Sequence, residues 1–400
     1  MSAPIAGLAA LNFFLADVQG GLGPFLATWL ASIDWNPEQV GIVMTICGLV
    51  GLAFNSPAGV LIDRTQRYRL WLALSSSAIV IGTLAMLPAR SFVAVIAAQV
   101  VAALGGVLMA PAVMALTLGI VGKERFPRQQ GSNQAWNHAG NVAAAVMVAA
   151  ATFVVGATAA FWVLAGMAAA SLGTLLFIPA AAIDAQRASG RVASEPATTV
   201  MQILRDRRVL GLSAALLLFH LGNAAMLPLL GQRIAALGHG DATRWLAACV
   251  VVAQLVMVPV AIVAGRMADR INRAWLIVAA CLVLPVRGAM AAVAQDPMWL
   301  IPIQVLDALG AGTLGVAIPI LVADFTWGSG RTQAALGVAS TMQGIGAALS
   351  TTLGGVLAAR MGWTAAFLGL SVPAVFALAL SVRLLGQASS VKAAAISARV

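Results

Sequence analysis

The chain has 400 residues, of which 61% are hydrophobic and 9% are charged, whereas an ordinary water-soluble domain carries about 25% charged residues. A soluble chain of this length cannot bury so much apolar surface. The composition therefore excludes a soluble enzyme, a nucleic-acid-binding protein and a disordered protein. The net charge of +10 does not alter this, because the basic residues are scattered through short loops and do not form one face.

Twelve apolar segments follow one another along the chain. Each is continuous and long enough for a membrane-crossing helix, which needs about 20 residues, whereas β-barrel strands show alternating runs of about 10. We therefore predict an all-α membrane protein with twelve transmembrane helices. The predicted spans are 5–31, 39–61, 70–88, 92–120, 132–155, 158–181, 209–231, 245–265, 274–294, 298–323, 334–358 and 363–385.

The basic residues predict the orientation. Of the 23 Lys and Arg residues, Arg287 lies inside a span, and only Arg90, Arg233, Arg244 and Arg360 fall on one side of the membrane. The remaining 18 fall on the other side, and such an excess marks cytoplasmic loops. We expect both termini to be cytoplasmic. The predicted organisation is an N-terminal six-helix bundle (1–183), a cytoplasmic linker (184–208), a C-terminal six-helix bundle (209–387) and a cytoplasmic tail (388–400).

The two halves of the chain repeat each other. Three matches occur at an offset of about 205 residues, and a parallel six-helix repeat predicts two pseudo-symmetric bundles related by an axis along the membrane normal. The matches are 59–67 (GVLIDRTQR) with 265–273 (GRMADRINR), 99–105 (QVVAALG) with 304–310 (QVLDALG), and Pro24 with Pro228.

Twelve spans, the repeat and a Gly-x-x-x-Asp-Arg-x-x-Arg loop after the second and eighth helices resemble the major facilitator superfamily. The resemblance covers essentially the whole chain and implies two bundles that rock around a central site. It also implies a latch for the outward-facing state; the alternative is an interfacial charge cluster that only sets topology. The residues of this gating or structural motif are Gly59, Asp63, Arg64, Arg67, Gly265, Asp269, Arg270 and Arg273.

Two stretches differ in sequence from the proton-coupled drug antiporters of this superfamily. Gln99 stands in the region of helix 4 where many of them carry Arg, and 133–141 in helix 5 lacks the Pro of their Gly-Pro motif. Both departures argue against a drug exporter of that type. The segment 219–228 is similar to bacterial members, some of which move siderophores.

Polar side chains inside the spans are candidate site residues, because a polar group in hydrocarbon is costly without a cavity or a partner. In helix 5, Asn137 and Asn141 share one face, where they either contact a polar substrate or bind helix 5 to its neighbours. The resemblance implies that helices 1, 4, 7 and 10 line the cavity. The cavity candidates are Asn12, Gln19, Gln99, Trp136, Asn137, His138, Asn141, Asn223 and Gln304.

Three titratable residues are candidates for proton coupling: Asp17, His220 and Asp307. A carboxyl group in a low dielectric exchanges a proton near neutral pH, and histidine titrates there. Asp17 is the first candidate, although it lies about 160° around helix 1 from Gln19. The alternatives are a structural hydrogen-bonded carboxyl group and a neutral histidine at a helix interface.

Arg287 and Asp307 lie at similar predicted depths of ~10–14 Å, from a rise of 1.5 Å per residue. A buried ion pair is therefore geometrically possible, and pairing is how such charges persist in a membrane. Either the pair is structural, or Asp307 faces the cavity with Gln304. In the second case, protonation of Asp307 exposes Arg287 to an anion.

The sequence predicts a secondary active transporter that moves a small organic solute, coupled to protons. It has no nucleotide-binding Gly-x-x-x-x-Gly-Lys-Ser/Thr loop, and we expect neither enzyme activity nor a cofactor or metal. The expected partners are substrate, protons and lipids of the bacterial cytoplasmic (inner) membrane, and we expect a monomer. The alternatives are a passive facilitator or a transporter-like receptor. Siderophore import or export and drug efflux are the substrate hypotheses.

Overall fold

Nearly all of the chain that the structure describes is helical. Among those residues there is no β-strand, only an isolated backbone bridge at Arg191. Pro24, Arg90 and Arg399, used above for the repeat and the charge count, lie outside the described residues. The computed structural model describes residues 3–20, 22, 26, 29–30, 33, 35, 37–89, 91–192, 198–237 and 242–397.

In the described part of its first half, the chain forms five long helices and two short ones. The start of the fourth is capped by the Ser91 hydroxyl, which accepts the amide of Ala94 at 3.3 Å, an arrangement that satisfies an otherwise free amide. The helices are α1 (Ala3–Gly20), α2 (Pro37–Arg64), α3 (Tyr68–Ala85), α4 (Phe92–Val155), α5 (Ala159–Thr174), α6 (Ala185–Ser189) and α7 (Val200–Arg205).

Six helices follow among the residues described after 206. They are α8 (Arg207–Asn223), α9 (Met226–Ala236), α10 (Ala242–Met267), α11 (Ala274–Val293), α12 (Leu300–Thr326) and α13 (Thr332–Ser397). The predicted span 209–231 is thus divided between α8 and α9. Pro228 explains the break, because it has no N–H for the carbonyl four residues earlier, at Ala224.

The start of α8 lies outside the apolar spans and is capped by a charged pair. Asp206 accepts the backbone amide of Arg208 at 2.7 Å and the side chain of the same residue at 2.9 Å. Burial acts to raise the pKa of Asp206, but the hydrogen bonds from Arg208 outweigh it and hold that pKa below its ordinary value.

Two glycines break long helices without a loop. Gly122 in α4 has φ 71° and Gly362 in α13 has φ 83°, a region that side chains with a Cβ rarely adopt. The prediction that 121–131 is a loop was wrong, because the chain is helical on both sides of Gly122. The Lys, Glu and Arg residues there favour helix and extend beyond the apolar segment. Helix α13 likewise continues to Ser397, through most of the predicted tail.

The helices are consistent with twelve membrane crossings. Within the described part of the chain, nine helices are long and apolar enough to span a membrane, and two of them contain 64 and 52 residues. A span takes about 20 residues, so each of these two has room for two crossings. The apolar segment Ala3–Gln19 is shorter than the nine and corresponds to the first predicted span.

Large apolar side chains cover the outside of these helices. Phe153 is 94% exposed, Leu176 79% and Val93 74%. Water would make such a surface unfavourable, whereas lipid chains match it, and backbone groups in helices are already hydrogen-bonded internally. The exposed residues therefore fit an integral, multi-pass membrane protein.

The chain divides into two compact units. The first unit comprises Met1–Val200 and Thr326–Gly337, and the second unit comprises Met201–Phe325 and Val338–Val400. This division differs from the predicted bundles, because the connection before the eleventh span packs with the first half. Hydrogen bonds between the predicted linker and that connection, described below, account for the difference.

Glycine contacts repeat within the two units. A Cβ added at Gly105 would lie 2.7 Å from the carbonyl oxygen of Ser75, and one added at Gly310 would lie 3.5 Å from that of Ala280. Both glycines and their partners are 205 residues apart in sequence. The internal repeat therefore extends from sequence motifs to the packing of equivalent helices, where small residues permit close approach.

A second pair of equivalent contacts was not predicted from the sequence. A Cβ on Gly140 would collide with the backbone of Phe13 in the first unit, and one on Gly346 with the backbone of Leu217 in the second unit. In each unit a glycine of the fifth helix of the repeat thus lies directly against the first. The first of these contacts brings together the polar residues described next.

Candidate functional site

Three side-chain amides form a cluster in the first unit. The Asn137 amide group donates to the Gln19 side chain at 3.3 Å and to the Asn12 backbone carbonyl at 3.5 Å, while Asn141 donates to Asn137 at 3.4 Å. We call Gln19, Asn137 and Asn141 the amide cluster. It joins α1 to the part of α4 that follows Gly122, where Gly140 allows the two helices to touch.

The amide cluster has polar and aromatic neighbours that remain accessible. Gln19 is exposed, Asn137 and Asn141 are half-buried, and Trp136 is 45% exposed. Trp136 also packs edge-on against Phe13, with ring centroids 6.3 Å apart. Amides both donate and accept hydrogen bonds, so the cluster is suited to a polar, uncharged part of a ligand.

Other predicted residues of the first unit lie in helix contacts. Asn12 is 3% exposed and donates to the carbonyl of Leu8 in its own helix at 2.8 Å. Gln99 is 9% exposed; its side chain accepts from the Cys47 thiol at 3.4 Å and donates to the Met86 sulfur at 2.8 Å. The Gln99 contacts join neighbouring helices and the Asn12 contact stays within α1, so neither side chain belongs to the amide cluster.

Asp17 and His138 lie near the amide cluster in sequence, and both are half-buried. Asp17 makes neither a hydrogen bond nor an ion pair within the part of the chain described. The alternative of a structural carboxyl group held by hydrogen bonds therefore gains no support at Asp17.

A charged cluster lies in the second unit. Arg287 and Asp307, separated by 3.0 Å, form an ion pair in which the Arg287 side chain is 1% exposed and that of Asp307 is 15% exposed. The pair that the sequence left open is thus formed in the structure. Arg287 also donates to the Asn223 side chain, which contributes a further polar partner inside the apolar unit.

The Asp307 carboxylate is surrounded by donors from three helices. Its Oδ1 accepts from Arg287 and, at 3.1 Å, from Asn223; its Oδ2 accepts from Gln304 at 2.8 Å. We call Asn223, Arg287, Gln304 and Asp307 the Asp307 cluster. Asn223 is the last residue of α8, so the cluster lies at the break before α9. Charge-assisted bonds of this kind compensate a buried carboxylate.

Two polar atoms of the Asp307 cluster are left unsatisfied. Arg287 Nε and Gln304 Oε1 are buried and have no hydrogen-bond partner among the described residues. An unmade hydrogen bond on a buried group is costly. The cluster therefore retains one free donor and one free acceptor at buried positions.

His220 lies one turn before Asn223 on α8 but makes a different contact. Its Nδ1 is 2.9 Å from the carbonyl of Leu216. Because a carbonyl only accepts, Nδ1 carries the proton and Nε2 is available as an acceptor in the neutral ring. His220 is thus not a hydrogen-bond partner of Asp307.

The Asp63 carboxylate binds the start of α13. Its two oxygens accept the backbone amides of Gln333 at 2.9 Å and Ala334 at 2.8 Å. These amides belong to the first turn, where helices lack internal acceptors and carry a partial positive charge. A Cβ on Gly59, one turn earlier on α2, would collide with the Gln333 carbonyl. Glycine at position 59 therefore permits the contact.

The repeated copy of the motif is arranged differently. Asp269 is exposed, and its side chain has no hydrogen-bond or ion-pair partner in the described ranges. Arg273 instead binds Asp324 at 2.5 Å and the carbonyl of Ala268 at 3.1 Å. Sequence reasoning missed Asp324, although an acidic residue at the end of the tenth span was a usable signal. Arg64, Arg67 and Arg270 are exposed.

The predicted linker is packed against the connection before α13. The carbonyl of Gly190 accepts the amide of Gly328 at 2.7 Å, and Thr198 donates its amide to Ser329 at 2.9 Å. The Arg331 Nε donates to the Thr198 carbonyl at 2.9 Å. The predicted linker therefore does more than connect two halves, because it is hydrogen-bonded to the connection before α13.

Asp63→Asn tests the contact with α13. We expect the free energy of unfolding to fall by about 1 kcal/mol, as for the loss of a helix cap, because one carboxylate oxygen becomes an amide that cannot accept. Asp269→Asn is the matched control, since Asp269 is exposed. Thermal unfolding followed by tryptophan fluorescence measures both. Equal losses from the two variants would contradict a specific role for Asp63.

Comparison with known proteins places these features in a known class, the multi-pass membrane transport proteins. The sequence profile of the Major Facilitator Superfamily matches residues 6–326 and 245–399. The chain is 37% identical over 369 residues to an uncharacterized MFS-type transporter of Mycobacterium tuberculosis, named MT2531 in strain CDC 1551 and Rv2456c in strain H37Rv. The match covers 91% of this chain and 88% of that relative.

Solved structures with the same fold include FucP. Its outward conformation aligns with a TM-score of 0.73 and 14% identity, covering 95% of this chain and 98% of FucP. A variant of FucP, the E. coli fucose:proton symporter, aligns with a TM-score of 0.72 and 14% identity, covering 96% and 99%. The chain belongs to the Major Facilitator Superfamily. It is accordingly a membrane transporter and not an enzyme.

Proposed function

We propose that this transporter moves a small organic solute by alternating access and that protons drive the movement. The observation that carries the proposal is the Asp307 cluster, a buried ion pair inside a membrane-embedded unit. Such charges are costly in a membrane protein and mark functional positions by default.

Protonation of Asp307 supplies a physical route for coupling. A neutral Asp307 no longer balances the charge of Arg287, which is 1% exposed, and an unbalanced buried charge is strongly unfavourable. Arg287 must then find another anion or become hydrated. Either response rearranges the contacts among the end of α8, α11 and α12. Proton binding is in this way linked to a change in helix packing.

The amide cluster supports a polar organic substrate. Gln19, Asn137 and Asn141 offer donors and acceptors on two helices, and the exposed Trp136 offers an aromatic surface. Neither feature suits a bare inorganic ion. The E. coli protein of the same fold, described as a fucose:proton symporter, supports proton-driven solute movement by this architecture. Sugars and polyols are the first solutes to test, followed by siderophores and drug-like compounds.

Proteoliposomes containing a pH-sensitive dye test the coupling. Wild-type protein is expected to acidify or alkalinise the lumen when the correct solute is added and to concentrate that solute under a pH gradient. Asp307→Asn is expected to lose concentrative transport by at least about tenfold, while retaining solute exchange at equal pH, because the proton step is removed. Full gradient-driven accumulation in Asp307→Asn would exclude Asp307 as the coupling residue.

Asp17→Asn separates the two carboxyl candidates. Asp17 has no described partner, so this substitution should leave folding intact and remove concentrative transport only if Asp17 itself carries the proton. Loss of concentrative transport in Asp17→Asn, together with normal coupling in Asp307→Asn, would assign the coupling role to Asp17. Transport by the wild type at one rate with and without a pH gradient would establish a passive facilitator.

The proposed location is the bacterial cytoplasmic membrane, with both termini in the cytoplasm and the protein as a monomer. The excess of Lys and Arg in one set of loops supports this orientation. A reporter enzyme active only outside the cytoplasm, fused after residue 387, should be inactive there and active when fused after Arg360.

A further inference from the structure

A polar cavity in the first unit is lined by no residue of the amide cluster or of the Asp307 cluster. Its volume is about 320 Å³, and residues of its lining include Asp63, Arg64, Tyr68, Gln186, Arg191 and Arg331. This is at the lower end of the volumes that small ligands occupy. Three segments distant in sequence contribute to it: the end of α2, the region of α6, and the connection before α13.

The cavity carries more positive than negative charge. Three guanidinium groups line it, against the single carboxylate of Asp63. Both oxygens of that carboxylate accept the amides of Gln333 and Ala334, so its hydrogen-bonding capacity is directed toward α13. The positive charge is thus only partly balanced within the cavity.

The guanidinium groups retain free donors. The side chains of Arg64 and Arg191 make no hydrogen bond or ion pair within the described residues, and both residues are exposed. The described hydrogen bond of the Arg331 side chain uses Nε, which donates to Thr198, so its two terminal nitrogens point to no described acceptor. Arginine presents paired donors that match the oxygens of phosphate.

The backbone holds these arginines in place. Arg191 donates its amide to the carbonyl of Gln186 at 2.8 Å and forms a backbone bridge with Gly328. Arg331 donates its amide to the Ser329 hydroxyl at 3.1 Å, and Arg64 is the last residue of α2. A ligand would therefore meet preformed segments, which lowers the entropic cost of binding.

We propose that this cavity is a binding site for a phosphate group, with Arg64, Arg191 and Arg331 as its ligands. The phosphate belongs either to a soluble phosphate compound or to the headgroup of an anionic phospholipid. A bound phosphate joins the end of α2 to the start of α13, so it adds to the contact that Asp63 makes between the same two helices. The site is independent of the substrate and of proton coupling.

Pyrophosphate is the probe for the soluble source. Calorimetric titration of the full chain in detergent, at constant ionic strength, should give saturable binding. Arg191→Gln and Arg331→Gln should each weaken that affinity about tenfold, because each removes a charge-assisted contact. Arg128→Gln is the matched control, as Arg128 is also an exposed arginine of the first unit but does not line the cavity.

Lipid nanodiscs test the second source. The unfolding temperature is measured in discs of phosphatidylcholine alone and in discs that also contain phosphatidylglycerol. Binding to the folded state raises stability, so a headgroup site predicts a higher unfolding temperature with phosphatidylglycerol. Arg191→Gln should lose this rise in unfolding temperature, and Arg128→Gln should keep it. Arg64→Gln serves as a second variant if Arg331→Gln fails to fold.

The proposal is overturned if neither pyrophosphate nor phosphatidylglycerol has an effect that depends on these arginines. Equal weakening by Arg128→Gln would also overturn it, because the attraction would then come from the general basic surface. Neither outcome bears on solute transport, which is measured separately.

Discussion

Arg287→Met is expected to lower the free energy of unfolding by about 3–5 kcal/mol, the usual cost of removing one partner of a buried ion pair. The variant leaves the Asp307 carboxylate inside an apolar unit with only Asn223 and Gln304 as donors. Denaturant unfolding in detergent, followed through the ten tryptophans of the chain, measures the loss. A loss below about 1 kcal/mol would mean that the pair is hydrated and not buried as the structure has it.

The double variant Arg287→Met with Asp307→Asn separates stability from transport. With both charges removed, no uncompensated charge remains, and we expect most of the stability to return, since such replacements are often neutral. Concentrative transport should still be absent if Asp307 carries the proton. A double variant that is both stable and fully active would make the pair a structural feature only.

Gly140→Ala and Gly106→Ala are expected to have effects of opposite sign. A Cβ at Gly140 collides with the backbone of Phe13, whereas a Cβ at Gly106 meets nothing within 4 Å. Overpacking typically costs about 1–3 kcal/mol, and a helical Gly→Ala change without a clash gains up to about 1 kcal/mol. We therefore expect Gly140→Ala to destabilise the chain and Gly106→Ala to stabilise it slightly.

The same pair of variants has a functional readout. Separation of α1 from the later part of α4 breaks the hydrogen bond between Gln19 and Asn137, so Gly140→Ala should also weaken solute binding by more than its matched control. Thermal unfolding with and without a transported solute measures both effects. Stabilisation by Gly140→Ala would show that the two helices lie farther apart than described.

Much of the fold follows from the sequence because lipid imposes simple rules. A span must be apolar, helical and about 20 residues long, so hydropathy predicts the helices, and the repeat predicts two units. The similar depths of Arg287 and Asp307 made their pairing geometrically possible. The asparagine spacing similarly placed Asn137 and Asn141 on one face, whereas the hydrogen bond from Asn137 to Gln19 is known only from the structure.

The remaining features depend on contacts that no residue pattern records. Asp63 binds the amides of Gln333 and Ala334, and backbone amides are common to every residue except proline. Nothing in the sequence distinguishes Gly122, which has a positive φ, from an ordinary glycine in a charged segment. The local bond from Asn12 to Leu8 is likewise one of several choices open to an asparagine in a helix.

The unequal partners of Asp63 and Asp269 have a consequence for the history of the duplicated motif. Two copies that began alike now meet different physical demands, since only one is bound to the amide ends of another helix. Random substitution at position 269 should therefore be tolerated far more broadly than at position 63 in a growth-based selection. We therefore expect position 63 to be constrained and position 269 to be free to diverge.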